Sequence, residues 1–126
     1  MKLLLRRGQR SGLLGGKIVF QLEVRADLTP DERSNITKYK LGDTVLYERN
    51  TVVDRGSGLL GLASRAAFRA MNISVSVNDL ATGKRIECRD IVEMIAVSDQ
   101  IKEAAETFKA VLQAAAHFGG EEVLEL

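Results

Sequence analysis

Residues 17–32, KIVFQLEVRADLTPDE, decide the fold, because a strand signal runs directly into a helix signal. Ile18, Phe20, Leu22, Val24 and Ala26 alternate with Lys17, Val19, Gln21, Glu23 and Arg25. Successive strand side chains point to opposite faces, so this period marks a half-buried strand across Lys17 to Leu28. Thr29 can then cap a helix, Pro30 suits its first position, and Glu32 completes a capping box. Asp31 and Glu32 sit at the positive end of the helix dipole. The helix is expected to run to about Lys40 and to end at Gly42.

Working outward, Lys2 to Arg7 reads as a first strand, joined to the second by the glycine-rich GQRSGLLGG of residues 8–16. After the capped helix, Asp43 to Val53 reads as strand, with Val45, Tyr47 and one of Val52 or Val53 inward and a bulge or turn at Asn50. DRGSGLLG (54–61) is a loop. Leu62 to Met71 is alanine-rich and helix-favouring, with Arg65 and Arg69 one turn apart. Ile73 to Val77 and Arg85 to Arg89 are expected to pair as a hairpin about Ala81-Thr82-Gly83-Lys84. Asp90 to Val97 reads either way: it is rich in Ile and Val, yet Asp90 with Glu93 can open a helix. From Ser98 the pattern is helical, with Ile101, Ala104, Phe108, Val111, Ala115 and Phe118 recurring at steps of three and four, and Ala105 and Leu112 widen the stripe in favour of packing against a sheet. Gly119 and Gly120 stop that helix, and Glu121 to Leu126 is expected to add a last short strand.

Hairpins joined by few helices give an α+β domain, 1–126: a mostly antiparallel sheet carrying a long C-terminal helix and one or two shorter helices. A chain of 126 residues, 45% hydrophobic and 28% charged, is long enough to bury a core without a staple. Its one cysteine, Cys88, excludes an intrachain disulfide and a cysteine-based metal site. Its one histidine, His117, removes the common zinc and triad arrangements. No metal and no cofactor is expected. The apolar run Leu3–Leu5 is far too short for a signal peptide, and no stretch nears the roughly 18 apolar residues of a membrane span. The expected setting is the cytoplasm.

Net charge is +1, but residues 1–86 carry 15 basic and 8 acidic side chains, and residues 87–126 carry 3 and 9. Such a split can mean a basic surface for an anionic partner, or two faces that attract each other, or charges interleaved by folding. Arg6, Arg7, Arg10 and Lys17, which precede the first acid, are candidate anion or nucleic-acid contacts, as are Arg65 and Arg69. A solvated, charge-protected edge strand is a sufficient and the favoured explanation of the first group, and no nucleic-acid-binding motif accompanies it. Arg65 and Arg69 beside Leu62, Ala66, Phe68 and Met71 could also rest on a membrane surface, but the segment offers little apolar area.

SGLLG occurs twice, at Ser11–Gly15 and Ser57–Gly61. Neither copy has the Gly-x-x-x-x-Gly-Lys-Ser/Thr phosphate loop, so covering an apolar surface is the simpler use. If Leu13, Leu14, Leu59 and Leu60 are exposed, they mark a protein contact. Cys88 alternates with Ile86, which places it in the core, and no spacing singles out a carboxylate pair among Glu23, Asp27, Asp43 and Glu48. The alanines of the last helix, from Ala104 to Ala116, permit close approach of a second helix. The function expected is a small non-catalytic binding or assembly module, homo-oligomeric or working with a protein partner. The alternatives are a nucleic-acid-associated factor using the basic half, and a small enzyme with an acid–base pocket.

Overall fold

A computed structural model describes residues 1–11, 18–49, 72–118, 120 and 123–126. The expected helix at Leu62–Met71, the Asn50 turn and the inward Val52 or Val53 lie outside these residues. The first hairpin forms from β1 (Lys2–Ser11) and β2 (Ile18–Asp27), antiparallel in register from Lys2 opposite Asp27 to Ser11 opposite Ile18. Strand β1 therefore continues to Ser11, through residues expected to loop, because Ile18 to Gln21 give it a partner. The helix α1 (Pro30–Lys38) follows, then β3 (Val45–Arg49) and β4 (Ile73–Ser76). The chain continues through α2 (Val77–Thr82), β5 (Lys84–Cys88) and α3 (Ile91–Ala116). Strands β1, β2 and β5 form one antiparallel sheet with β2 central, and β3 pairs with β4 in a second. The fold is α+β, with antiparallel sheets, a long C-terminal helix and shorter helices. Among the described residues no helix is long and apolar enough to cross a membrane.

The capping box at Thr29 forms in full: the Glu32 amide donates to Thr29 Oγ1 at 3.2 Å and the Thr29 amide to Glu32 Oε1 at 2.9 Å. Gly42 does not end α1. Tyr39 is the C-cap and Lys40 takes the left-handed conformation, φ 54°. The Leu41 amide donates to Ile36 O at 2.9 Å and the Lys40 amide to Thr37 O at 3.3 Å, with Leu41 packed against Ile36. This is a Schellman ending in which a lysine holds the place that glycine fills at no steric cost. Gly42 serves a close approach instead, since a Cβ there would lie 2.4 Å from Asn78 Oδ1.

The expected hairpin of β4 with β5 does not form. Ser76 and Asp79 make a second capping box, so the chain enters α2 where a turn was expected. The α1–β3 turn accepts the first amides of α2, Val77 to Thr44 O at 3.0 Å and Asn78 to Gly42 O at 2.9 Å. Val77 and Leu80, one helical step apart, go into the core. Gly83, φ 98°, releases the chain to β5, which pairs with β2. Val45 is exposed rather than inward, because a register shift between Val45 and Tyr47 breaks the alternation and leaves Tyr47 buried.

Asp90 settles the ambiguous stretch by accepting the Glu93 amide at 2.7 Å, so helix α3 begins at Ile91. Its buried positions are Met94, Val97, Ser98, Ile101, Ala105, Phe108 and Leu112. Ile101, Ala105, Phe108 and Leu112 were expected there, whereas Ala104 and Ala115 are half-buried and Val111 and Phe118 are exposed. The expected stripe from Ile101 to Phe118 steps by less than the helical period of about 3.6 residues and drifts around a straight helix; the positions from Met94 to Leu112 keep that period and stay on one face. Ser98 is fully buried and satisfies its hydroxyl by donating to Met94 O at 2.7 Å. The main core joins Leu22, Val24, Ile86, Val75, Leu80 and Ile101, and a second cluster joins Ile36, Val77, Phe108 and Leu112. Residues 123–126 form no strand, and Val123, Leu124 and Leu126 are exposed.

Lys40→Gly is expected to stabilise the chain by up to about 1 kcal/mol in urea denaturation, as relief of the left-handed strain exceeds the added unfolded-state entropy. The hydrogen bond from the Ser76 backbone holds the Asp79 carboxyl below its ordinary range; burial opposes this, and the Ser76 hydroxyl and the Lys84 charge assist. Such a carboxylate stabilises the fold in full above its unfolded pKa of 3.8, and the contribution disappears as pH falls through the lower folded value. Asp79→Ala should therefore cost about 1 kcal/mol at neutral pH, with the gap from the parent closing in melts run below pH 3.8.

Candidate functional site

Strand alternation divides the N-terminal arginines between two faces. Arg6 pairs with outward-facing Glu23, and Arg7 pairs with Leu22, which faces the core side. Arg6 and Arg10 thus share the outer face of the sheet while Arg7 lies on the other side. Lys17, Arg65 and Arg69, and Leu13, Leu14, Leu59 and Leu60, lie outside the described residues.

On the outer face β1 contributes Lys2, Leu4, Arg6 and Arg10, β2 contributes Glu23, Arg25 and Asp27, and β5 contributes Arg85 and Glu87. Arg10 Nη2 reaches Glu87 Oε1 at 3.1 Å, Arg85 Nε reaches Glu23 Oε1 at 3.2 Å, and Arg25 Nη2 approaches Asp27 Oδ1 at 3.7 Å. These pairs are exposed and contribute little individually. Arg6 makes no ion pair among the described residues. Beside it lies a 500 Å³ cleft lined on this face by Leu4, Arg6, Glu23, Arg25 and Arg85; Leu5, Val24 and Lys84 also border it but point to the core side, since both Leu5 and Lys84 pair with Val24. Arg6 is one of the candidate anion contacts marked by the sequence. Arg25, Lys84 and Arg85 were not singled out, although the charged positions of an alternating strand were already visible around Glu23.

A partly buried ion pair joins β3 to α3. Arg49 Nη1 lies 2.6 Å from Glu93 Oε1, with the two side chains 15% and 13% exposed. Arg89 Nε meets the other oxygen at 2.7 Å, and Arg49 Nη2 donates to Glu87 O at 2.9 Å. Guanidinium groups thus occupy both Glu93 oxygens, which makes this a clip between β3, β5 and α3 rather than a free acid–base group. Cys88 and Tyr47 lie beside it in the core. Burial pushes the Cys88 thiol up, Glu93 pushes it further, and Arg49 only partly opposes them. Such a thiol is a poor nucleophile at neutral pH. Burial raises the Tyr47 phenol as well.

Cys88 and His117 flank opposite ends of α3, whose 26 residues span about 39 Å. They do not form a pair. Glu23 is held by Arg85, Asp27 by Arg25, and Asp43 accepts from Asn78 Nδ2 at 3.4 Å. Glu48 also has a partner. Among the described residues no group of three or more His, Cys, Asp or Glu side chains is arranged to hold a metal ion.

A third surface is apolar. Ile91, Val92 and Ile95 project from the start of α3 on the side away from Met94, Val97 and Ile101. Farther along the helix, a 410 Å³ groove runs between Val45, Leu46, Ala104, Phe108 and Val111. Comparison of the chain with protein-family models, with curated proteins and with solved structures found no match.

Removing Glu93 takes the balancing carboxylate from the partly buried Arg49 guanidinium, whereas removing Glu87 takes it from the exposed Arg10. Glu93→Ala is expected to lower stability by about 2–3 kcal/mol. Glu87→Ala should cost less than about 1 kcal/mol in the same urea titration.

Proposed function

We propose that this chain is a small cytoplasmic, non-catalytic assembly module whose partner is a second copy of itself, docked through the start of α3. One observation carries the reading: Ile91, Val92 and Ile95 are 53%, 77% and 49% exposed as one patch on a helix whose opposite face is fully packed. Isolated exposed aliphatic residues are ordinary, but three within two turns form a contiguous apolar surface. The patch is also self-complementary. Two copies of α3 laid antiparallel about a twofold axis near Glu93 and Met94 bring Val92 of one onto Ile95 of the other. Charges flank the patch with opposite signs, Arg89 before it and Asp99 after it, both about two thirds exposed. The same twofold axis brings Arg89 of each copy near Asp99 of the other, as an isologous interface requires. Arg89 keeps the rest of its guanidinium available, because only its Nε is engaged by Glu93.

Val92→Glu and Ile95→Glu place charge at the centre of this contact and should convert a dimer into a monomer in sedimentation velocity. Ile18→Glu, at a comparably exposed aliphatic residue of the hairpin, should leave the dimer intact. A parent chain that sediments as a monomer at high concentration overturns the proposal, as does a dimer untouched by both α3 variants.

A further inference from the structure

We propose that the cleft on the outer sheet face, between Arg6, Arg25 and Arg85, binds a small polyanion of the diphosphate class. Three guanidiniums line it on that face, against a single carboxylate, Glu23, which is already committed to Arg85 at 3.2 Å. Arg6 and Glu23 are direct cross-strand neighbours in the register, and so are Glu23 and Arg85. Two guanidiniums therefore flank one carboxylate across three strands, and the row keeps one positive charge in excess. Arg25 lies two residues along β2 on the same face. The 3.7 Å contact of Arg25 with Asp27 is long and solvated, so an entering anion competes for that guanidinium on favourable terms.

The size of the site selects the ligand. Strands β1 and β5 are separated by about 10 Å, two interstrand spacings, so the cations bracket more than one phosphate group. At 500 Å³ the cleft falls within the range of small-molecule sites. Guanidinium forks match phosphate oxygens in geometry as well as charge. A nucleic acid fits less well, because the positive surface is bounded. Asp27 closes it on one side, and on the other Glu87 neutralises Arg10. No aromatic side chain lines the cleft as a stacking platform.

Isothermal titration of the intact chain with sodium pyrophosphate at low ionic strength tests the assignment. Saturable binding is expected, weakened at least about fivefold by Arg6→Ala and by Arg25→Ala. Glu23→Gln removes the only carboxylate lining the cleft and should tighten binding, a gain that misfolding does not mimic. Melting curves of each variant confirm folding. Absence of saturation overturns the proposal, and so does equal affinity in the parent and both cation variants. Tight binding of single-stranded oligonucleotides that grows with length, with none of pyrophosphate, overturns it in favour of a nucleic-acid track.

Discussion

The structure depends on the contact between β2 and α3. Strand β2 is the only described strand with a neighbour on each side in its sheet, and its inward residues Leu22, Val24 and Ala26 are buried. Ile86 of β5 and Ile101 of α3 close over them, and Leu22, Ile86 and Ile101 expose no surface at all. Each such side chain contributes roughly 1.5–3 kcal/mol by leaving water, so this small group outweighs any surface ion pair in the molecule. The other elements are attached to that contact. Strands β3 and β4 reach it through Tyr47 and Val75, α2 through Leu80, and α1 through Ile36 against Phe108 and Leu112 farther along α3. The Arg49–Glu93 pair fixes the angle at which β3 meets the helix.

What was legible in the sequence was what is decided locally. The capping box at Thr29 and Glu32 and the alternation of Ile18 to Asp27 need only neighbouring residues, and both appear in the structure as read. Cys88 is buried beside Ile86 for the same reason. One local signal was passed over: Ser76 with Asp79 caps a helix as Thr29 with Glu32 does, but a Ser/Val alternation before it reads as strand. The phase of α3 was not local. Two stripes compete on its surface, and the one that wins is set by Met94 and Val97, in the stretch whose helical character depended on Asp90. The pairing of β5 with β2, some sixty residues away in the chain, has no signature in either strand alone. The candidate cleft inherits that limit, since Arg85 meets Glu23 only once this pairing is made.

The uneven charge of the sequence is partly stitched together by folding. Arg10 and Arg49, from the basic stretch, are paired with Glu87 and Glu93, from the acidic one. These two contacts lie where β5 passes into α3, so the boundary between the two stretches becomes a seam within the fold. The charge that remains is not mixed evenly. Asp99, Glu103 and Glu106 stay exposed along α3, and Lys2, Arg6, Arg25 and Arg85 stay exposed on the outer sheet face. Opposite charge thus accumulates on opposite sides of the β2–α3 layer.

That separation bears on how the two proposed surfaces relate. The apolar patch of Ile91, Val92 and Ile95 belongs to the outward side of α3, and the cationic cleft to the face of the sheet that α3 does not cover. A second copy seated on the helix therefore leaves the cleft open. It also brings Arg89 of each copy to Asp99 of the other, while Glu103 and Glu106 of the two copies diverge from the twofold axis, so salt bears on the rim of the contact and leaves its aliphatic centre. Anion capture depends on charge throughout, since screening weakens the attraction of Arg6, Arg25 and Arg85 for a phosphate. The two surfaces answer to ionic strength differently because one is built from aliphatic side chains with a charged rim and the other from guanidiniums on a solvated sheet.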